Sequence, residues 1–437
     1  MSFFCGIIII GDNMTILIKN AKVLDMVSNE PNIRKLDVLI DNNKIYRIDI
    51  NITDNADKVI DAEGKLLMPG FVNTHTHLAM SFFRGYKDER KLEDWLFNAI
   101  FPVEDKLTVE DIYYGSYLSC IEMIKSGTTT CNDMYFKCEG TIKALEETGM
   151  RGCVCWAIND NMSDDYVRLT KEYAEKYNKV DSRIKIISSF HAPYTCNPAT
   201  VGLAVNLAKE LNVPIHTHLS ETKSEENTSM ETYGKSSTEY MNDLGVFDGH
   251  VILAHSIHMS DSDLEILKNI KGGISTNPIS NAKLASGICD VVKLRNMGIN
   301  VGIGSDGQGS TTTLSIFDEL RTCAYFQKIK YEDPTIIKSY DLLKMATIEG
   351  AKVLGLDNEI GTIEVGKKAD LILIDLNNPN LWPQNDICTN LVFAGSNENI
   401  DTVIIDGNIL MEGRKLTSID ENKVMNDVKS IADRLLD

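Results

Sequence analysis

The chain has 437 residues, with 44 Lys and Arg against 63 Asp and Glu, a formal charge of −19. At 43% hydrophobic and 24% charged residues it has the composition of an ordinary globular protein. The acidic balance argues against a nucleic-acid binder, which needs a concentrated basic surface, and no apolar run approaches the ~18 residues of a membrane helix.

Taken in chain order, Phe3 to Ile10 are apolar, but no Lys or Arg precedes them and no small-residue cleavage site follows. Residues 1–13 are therefore expected to be an extension upstream of the true start, or a loose first strand, and the protein is expected in the cytoplasm. Short strands are predicted at 15–24, 37–41, 44–49 and 58–61, and the same texture returns at 369–375, 402–406 and 408–411. Between these flanks, apolar strands alternate with helical stretches, the pattern of parallel βα units. Eight strands are predicted to end near His77, Asp133, Ile158, His191, His218, His255, Asn277 and Asp306. Helices are predicted at 108–126, 164–178, 261–270 and 337–354.

That count predicts an α/β fold, a (β/α)8 TIM barrel over 69–357. A small discontinuous β-sandwich is expected from both termini, 14–68 and 358–437, the latter with a C-terminal helix. The ten cysteines are scattered, with no Cys-x-x-Cys, and are expected to be buried thiols in a reducing compartment.

All eight histidines lie between His75 and His258. Five of them, His75, His77, His191, His218 and His255, fall at or near predicted C-terminal strand ends, the rim where this fold places active sites. In Thr74-His75-Thr76-His77 the spacing puts two imidazoles on one face of a strand. With a third imidazole and a carboxylate they make a site for zinc or a similar divalent ion. His218 repeats the pattern with His216, and Glu221 follows on the loop facing the same site. His216 is expected one layer deeper, as a structural residue. Glu221 suits general acid/base work, Asp306 a carboxylate ligand that also accepts a proton, and His255 the support of an attacking hydroxide. The Gly302-to-Gly307 match to a dinucleotide pattern is discounted, because it closes a series of βα units instead of opening one.

Several stretches together resemble the metal-dependent amidohydrolase superfamily, from Ile16 to about Gly413. They are Pro69-Gly-Phe-Val-Asn-Thr-His75-Thr-His77, Trp95-Leu-Phe with Pro102-Val-Glu104-Asp, His191-Ala-Pro-Tyr, His218-Leu-Ser-Glu221-Thr, Asn277-Pro-Ile-Ser-Asn281 and Gly304-Ser-Asp306-Gly. Within it the chain is most similar to the 5-methylthioadenosine/S-adenosylhomocysteine deaminases. The resemblance implies metal ligation by His75, His77, His218 and Asp306, and catalysis by Glu221, His255 and Asp306. Glu104, His191, Glu221 and Asp306 would bind a small nucleoside substrate, with Glu104 accepting hydrogen bonds from ribose hydroxyls. Trp95 would help close the site. Arg168 is the candidate substitute for an arginine that family members carry near the end of the third strand, where this chain reads Cys155-Trp156-Ala157. The fourth strand ends in His191 with no lysine, which implies one divalent ion per subunit, zinc ahead of iron, manganese or nickel. The expected reaction is hydrolytic deamination of adenine nucleosides, the alternative being a guanine, cytosine or triazine-type deaminase or chlorohydrolase. No nucleic-acid or membrane partner is expected, and homo-oligomer formation is left open.

Overall fold

The computed structural model describes residues 14–161 and 163–436, so the two readings of residues 1–13 lie outside the described residues. The strands from the two ends of the chain hydrogen-bond into one nine-stranded sheet. Its splice is an antiparallel pairing of Leu371–Asp375 with Lys65–Pro69, registering Leu371 with Pro69 and Asp375 with Lys65. Strand alternation explains why neither face is left wet. Ile16, Ile18, Leu67, Leu371 and Leu373 enter a core of their own, whereas Leu66, Met68, Ile372 and Ile374 point the other way and join the main core. The expected termini thus meet as one sheet that packs against the rest of the molecule.

The chain leaves this sheet at Gly70, where a Cβ would stand 2.1 Å from the Thr129 side chain, so close packing there needs glycine. The parallel strands follow in sequence order. Phe71–Thr76, Thr128–Tyr135, Arg151–Trp156 and Ile184–Ile186 form one sheet, and Ser188–Ser189, Ile215–Leu219, His250–His255, Lys271–Thr276 and Val301–Ile303 form the next. The fourth predicted strand is therefore split at Ile187, whose N–H turns back to the Val154 carbonyl at 3.1 Å. At the other end, the backbone N–H groups of Ser305 and Asp306 both donate to the His75 carbonyl, at 3.1 and 3.0 Å, tying the exit of the last strand to the first.

The predicted helix at 337–354 is two helices, Ser339–Met345 and Ile348–Leu354. The break frees the Ala346 carbonyl to accept from Val72 N–H at 2.8 Å, a strand contact that an unbroken helix would forbid. Val109–Lys125 begins on a Thr108–Asp111 capping box. The C-terminal helix Glu421–Leu436, grouped by sequence with the flanking sheet, docks on Val109–Lys125 through Lys125–Glu421 at 2.8 Å and an Arg434–Asp111 pair. Cysteines 120, 131, 138, 153, 155, 196, 289, 323 and 388 are buried free thiols. Among the described residues no helix is long and apolar enough to cross a membrane.

Candidate active site and metal centre

A cavity of about 670 Å³ opens at the C-terminal ends of the parallel strands. His77, Glu104, His191, His218, Glu221, His255 and Asp306 all line it. His75 lies directly beneath, fully buried. The β alternation that put His75 and His77 on one face also brings their rings to 4.8 Å of each other, with His218 at 4.8 Å from His75.

Each ring is held from behind, which fixes which nitrogen faces the cluster. His77 Nδ1–H donates to the Met134 carbonyl at 2.6 Å and His218 Nδ1–H to the His191 carbonyl at 2.7 Å. His216 Nδ1–H donates to the Ile252 carbonyl at 2.8 Å, leaving its Nε2 to accept from His75 Nδ1–H at 2.8 Å. His216 is thus the deeper support that its position in the strand predicts. In all three ligand candidates the Nε2 lone pair points inward. His75 Nε2 is a buried polar atom with no hydrogen-bond partner, a costly arrangement unless something binds there.

Asp306 completes the set. Its Oδ1 lies 3.1 Å from His77 Nε2 and 3.4 Å from His75 Nε2. Its Oδ2 accepts from Ser280 Oγ at 2.6 Å and Ser310 Oγ at 2.8 Å, so one oxygen is anchored and the other is aimed at the imidazoles. His77 Nε2 and His218 Nε2 are 3.4 Å apart. Two acceptors facing each other at that distance need a positive charge between them. Without a cation a proton takes the place: burial opposes charging His77, but the hydrogen bond and charge of Asp306 overcome it and push its pKa to about 9. His75 and His218 stay neutral, burial holding His75 down to about 3 and His218 well below the ordinary range. Burial works against Asp306 too, yet the two imidazoles beside its Oδ1, His77 above all through its hydrogen bond and charge, hold it well below the usual carboxylate range. Ligand atoms of His75, His77 and His218 lie within 4.8 Å of one another, as do those of His75, His255 and Asp306. Neutral imidazoles, one anionic carboxylate and an orphaned inward nitrogen fit a divalent cation.

The groups around the cluster are poised differently. His255 makes its shorter Nδ1 contact with Asn281 Oδ1 at 2.8 Å, turning Nε2 toward Glu221 Oε2 at 3.7 Å. Burial raises the Glu221 pKa, the Asp306 charge adds to the shift, and His255 opposes it. Ser286 Oγ donates to Glu221 Oε1 at 3.4 Å. A carboxyl whose hold on its proton is strengthened by burial beside a cation site is suited to proton delivery.

Glu104 sits on the far wall, on a helical arm of Leu92–Trp95, a π-wound turn Leu96–Ile100, and Phe101–Glu104. Trp95, Leu96, Phe97 and Ile100 of that arm also line the cavity. The Tyr135 hydroxyl donates to Glu104, but burial outweighs it and lifts the Glu104 pKa to about 7. Half-buried His191 is held neutral by desolvation, at about 4, and its Nδ1 contacts Thr195 Oγ1 at 2.8 Å.

Arg168 is not brought to the cavity. It lies on the outer face of Ser163–Tyr177, 62% exposed, and pairs with Asp165 and Glu172 of its own helix at 3.5 and 3.4 Å. A charged side chain on an amphipathic helix stays in water unless a buried partner draws it in, and the partners here are both outside. Among the described residues the lysine or arginine that lines the cavity is Lys137, which follows the second strand and donates to the Leu107 carbonyl. Tyr135 and Ser310 carry no sequence expectation, and Ser280 and Asn281 lie in the Asn277-to-Asn281 stretch without a role of their own, since each holds another residue of the site.

Residues 66–410 match the model of the amidohydrolase family. The chain is 44% identical to a 5-methylthioadenosine/S-adenosylhomocysteine deaminase of Thermoanaerobacter pseudethanolicus, covering 97% of this chain and 100% of that one. It is also 44% identical to a 5'-deoxyadenosine deaminase of Methanobrevibacter smithii, over 96% of this chain and 98% of that one. Among solved structures, an adenosine deaminase from Xanthomonas campestris with bound zinc superposes with a TM-score of 0.93 at 29% identity, covering 96% of this chain and 98% of that one.

Proposed function

The chain belongs to the amidohydrolase family, and from that premise we propose that it deaminates adenine nucleosides hydrolytically, with release of ammonia. The substrates are 5-methylthioadenosine, S-adenosylhomocysteine, 5'-deoxyadenosine and adenosine, giving the corresponding inosine nucleosides. The observation that carries this reading is the near full-length likeness to two enzymes named for this chemistry.

His75, His77, His218 and Asp306 are the residues that would hold one divalent ion, zinc first, as in the Xanthomonas relative. When bound, such an ion supplies a water acidified enough to attack at neutral pH. The residues of the chain do the rest. His191 and Glu104 orient the nucleoside, the Glu104 carboxylate accepting from two neighbouring ribose hydroxyls. Glu221 gives its proton to the ring nitrogen beside the reacting carbon as the new C–O bond forms, which breaks aromaticity without building charge on the ring. His255, held by Asn281, keeps the incoming oxygen aligned. Asp306 takes a proton from that oxygen and delivers it to the exocyclic nitrogen. The C–N bond then breaks, ammonia leaves, and the remaining hydroxyl proton returns to Glu221 as the ring carbon becomes a carbonyl.

The two parallel sheets are read as one (β/α)8 barrel over 69–357, supported by the hydrogen bonds between its first and last strands. The flanks 14–68 and 358–437 are read as a discontinuous β domain, supported by their shared sheet. Buried free thiols support a reducing, cytoplasmic location.

The test is ammonia release by zinc-loaded protein from these four nucleosides, with guanine and cytosine beside them and Glu221→Gln as control. Release from the nucleosides that is lost in the control is expected. Release from a free base alone, insensitive to Glu104→Ala, would overturn the nucleoside reading.

A further inference from the structure

Glu221 stands on a loop whose backbone is not relaxed. Ser220, just before it, has φ of +52°, in the left-handed region that a residue with a side chain seldom adopts. The loop is stitched sideways to the segment after His255: Ser256 N–H donates to the Leu219 carbonyl at 2.9 Å, and the N–H groups of Ile257 and His258 both donate to the Ser220 carbonyl at 3.0 Å. His258 Nε2 in turn contacts the Ser286 carbonyl at 2.8 Å, and it is the Ser286 hydroxyl that donates to Glu221. The acid and the histidine it faces are therefore carried on one knitted piece of backbone.

One side chain closes that piece from the other side. Helix Lys223–Tyr233 begins on Thr222, whose hydroxyl accepts from Glu225 N–H at 3.1 Å. Glu225 is the third residue of the helix, where a glutamate ordinarily returns to the N–H of the capping residue. Here it reaches further. Its two oxygens accept separately from the N–H of Ser220 at 2.7 Å and of Glu221 at 2.9 Å, with the residue 4% exposed. A buried carboxylate that takes both N–H groups fixes the peptide between them, and removing it would leave two buried donors without partners.

We propose that Glu225 is a positioning residue for the reaction: its bidentate grip on the backbone of Ser220 and Glu221 sets the Glu221 carboxyl at its proton-transfer distance from the substrate ring and from His255. The assignment rests on the role of Glu221 proposed above. Glu225 bonds to no ligand of the cation, and so its variants separate proton delivery from cation binding.

The informative variant is Glu225→Gln, of the same shape, whose amide presents an N–H donor to one of the two backbone donors. Zinc content and KM for the nucleoside are expected to stay within about threefold of wild type, while kcat falls about 10- to 100-fold, part of the 10²–10⁴ that a placed acid supplies. In a Glu221→Asp background, where the acid is already misplaced, Glu225→Gln should cost much less, because the two act through one group. A residue that merely caps the helix would lower the melting temperature and leave kcat per folded, zinc-loaded molecule unchanged, which would overturn the proposal. So would losses that simply multiply in the double variant. If Glu225→Gln does not fold, Glu225→Asp, which keeps the charge and shortens the reach, serves with the same expectations. Crystals of the zinc-loaded variant test the clamp without any substrate. Glu221 is expected to swing away from His255, beyond the 3.7 Å seen here, and an unmoved Glu221 would sink the proposal whatever the enzyme acts on. Wild-type protein silent toward all four nucleosides, with Glu221 displaced in the variant, would refute the substrate reading and keep the clamp.

Discussion

The two ends of the parallel strands carry two buried polar clusters of opposite character. At the N-terminal ends, Arg151 donates from Nε to Asp370 at 2.6 Å and from Nη2 to Asp370 and Asp406 at 3.0 Å. Asp406 N–H closes the group on Asp370 at 2.8 Å, and Lys368 pairs with Asp181 at 3.0 Å. Arg151 and Asp370 are each 2% exposed in their side chains, and the group joins the third strand to the flanking sheet. At the C-terminal ends, the imidazoles and Asp306 turn lone pairs toward one another, and His75 Nε2 has no partner. Both clusters are buried and charged. The first is internally satisfied and holds two bodies together; the second is complete only with something added. Unfilled valence in the interior, more than burial or charge, separates a site from a joint.

The sharpest break of that comparison is Glu221→Gln. It removes the proton donor proposed above and should lower kcat by about 10²–10⁴-fold with little change in melting temperature, read by ammonia release and calorimetry on one sample. At the opposite end the pattern should invert. Arg151→Met leaves the buried Asp370 carboxylate without its cation, Asp406 keeping only Lys368 at 3.6 Å, and should cost about 3–5 kcal/mol of stability, measured by denaturant titration, with kcat per folded molecule unchanged.

Smaller, but specific to the open cluster, is stabilisation by the cation. Zinc at a hundred times its dissociation constant should add about 2.7 kcal/mol to wild type, and His75→Ala should lose most of that gain. The same zinc should leave the Arg151→Met deficit where it was. The mildest effect is in pH. Burial lifts Glu104 to about 7, above its usual value, so its carboxylate is mostly protonated below that pH. Ribose hydroxyls need the ionised form as acceptor, so KM should fall as pH rises through about 7 and level off above it, by up to about tenfold per unit on the acid side. Glu104→Gln should flatten that profile. The stability sign runs the other way: the folded state binds the extra proton, so the contribution of Glu104 declines as pH rises from its unfolded value through about 7.

Much of the fold was legible because its signals are local. The predicted strand ends at His77, Asp133, His218, His255 and Asn277 fall within about two residues of the observed ones, since apolar runs and the turns that end them are properties of short segments. The periodicity of 337–354 predicts one helix, because nothing in it reports that Val72 needs the Ala346 carbonyl. Arg168 was a reasonable candidate by type, and failed because the orientation of a helix face is set by what packs under it. Glu225 was visible only as a glutamate after a threonine; its reach past the cap depends on the loop it meets.

By itself the sequence determined the order of the strands and the side on which each histidine stands, because alternation along a strand is fixed by backbone geometry. It also determined which residue types were available to the site. Only the tertiary structure decided which groups hold each imidazole ring in place, the Ile252 carbonyl behind His216 and His216 behind His75, and which oxygen of Asp306 is left free. It also decided that Glu221 is held by Glu225. Those outcomes depend on donors and acceptors supplied by strands and loops far apart in sequence, Ile252, Ser280, Ser310 and Ser286 among them, and a hydrogen bond exists only once both partners have been brought within about 3 Å.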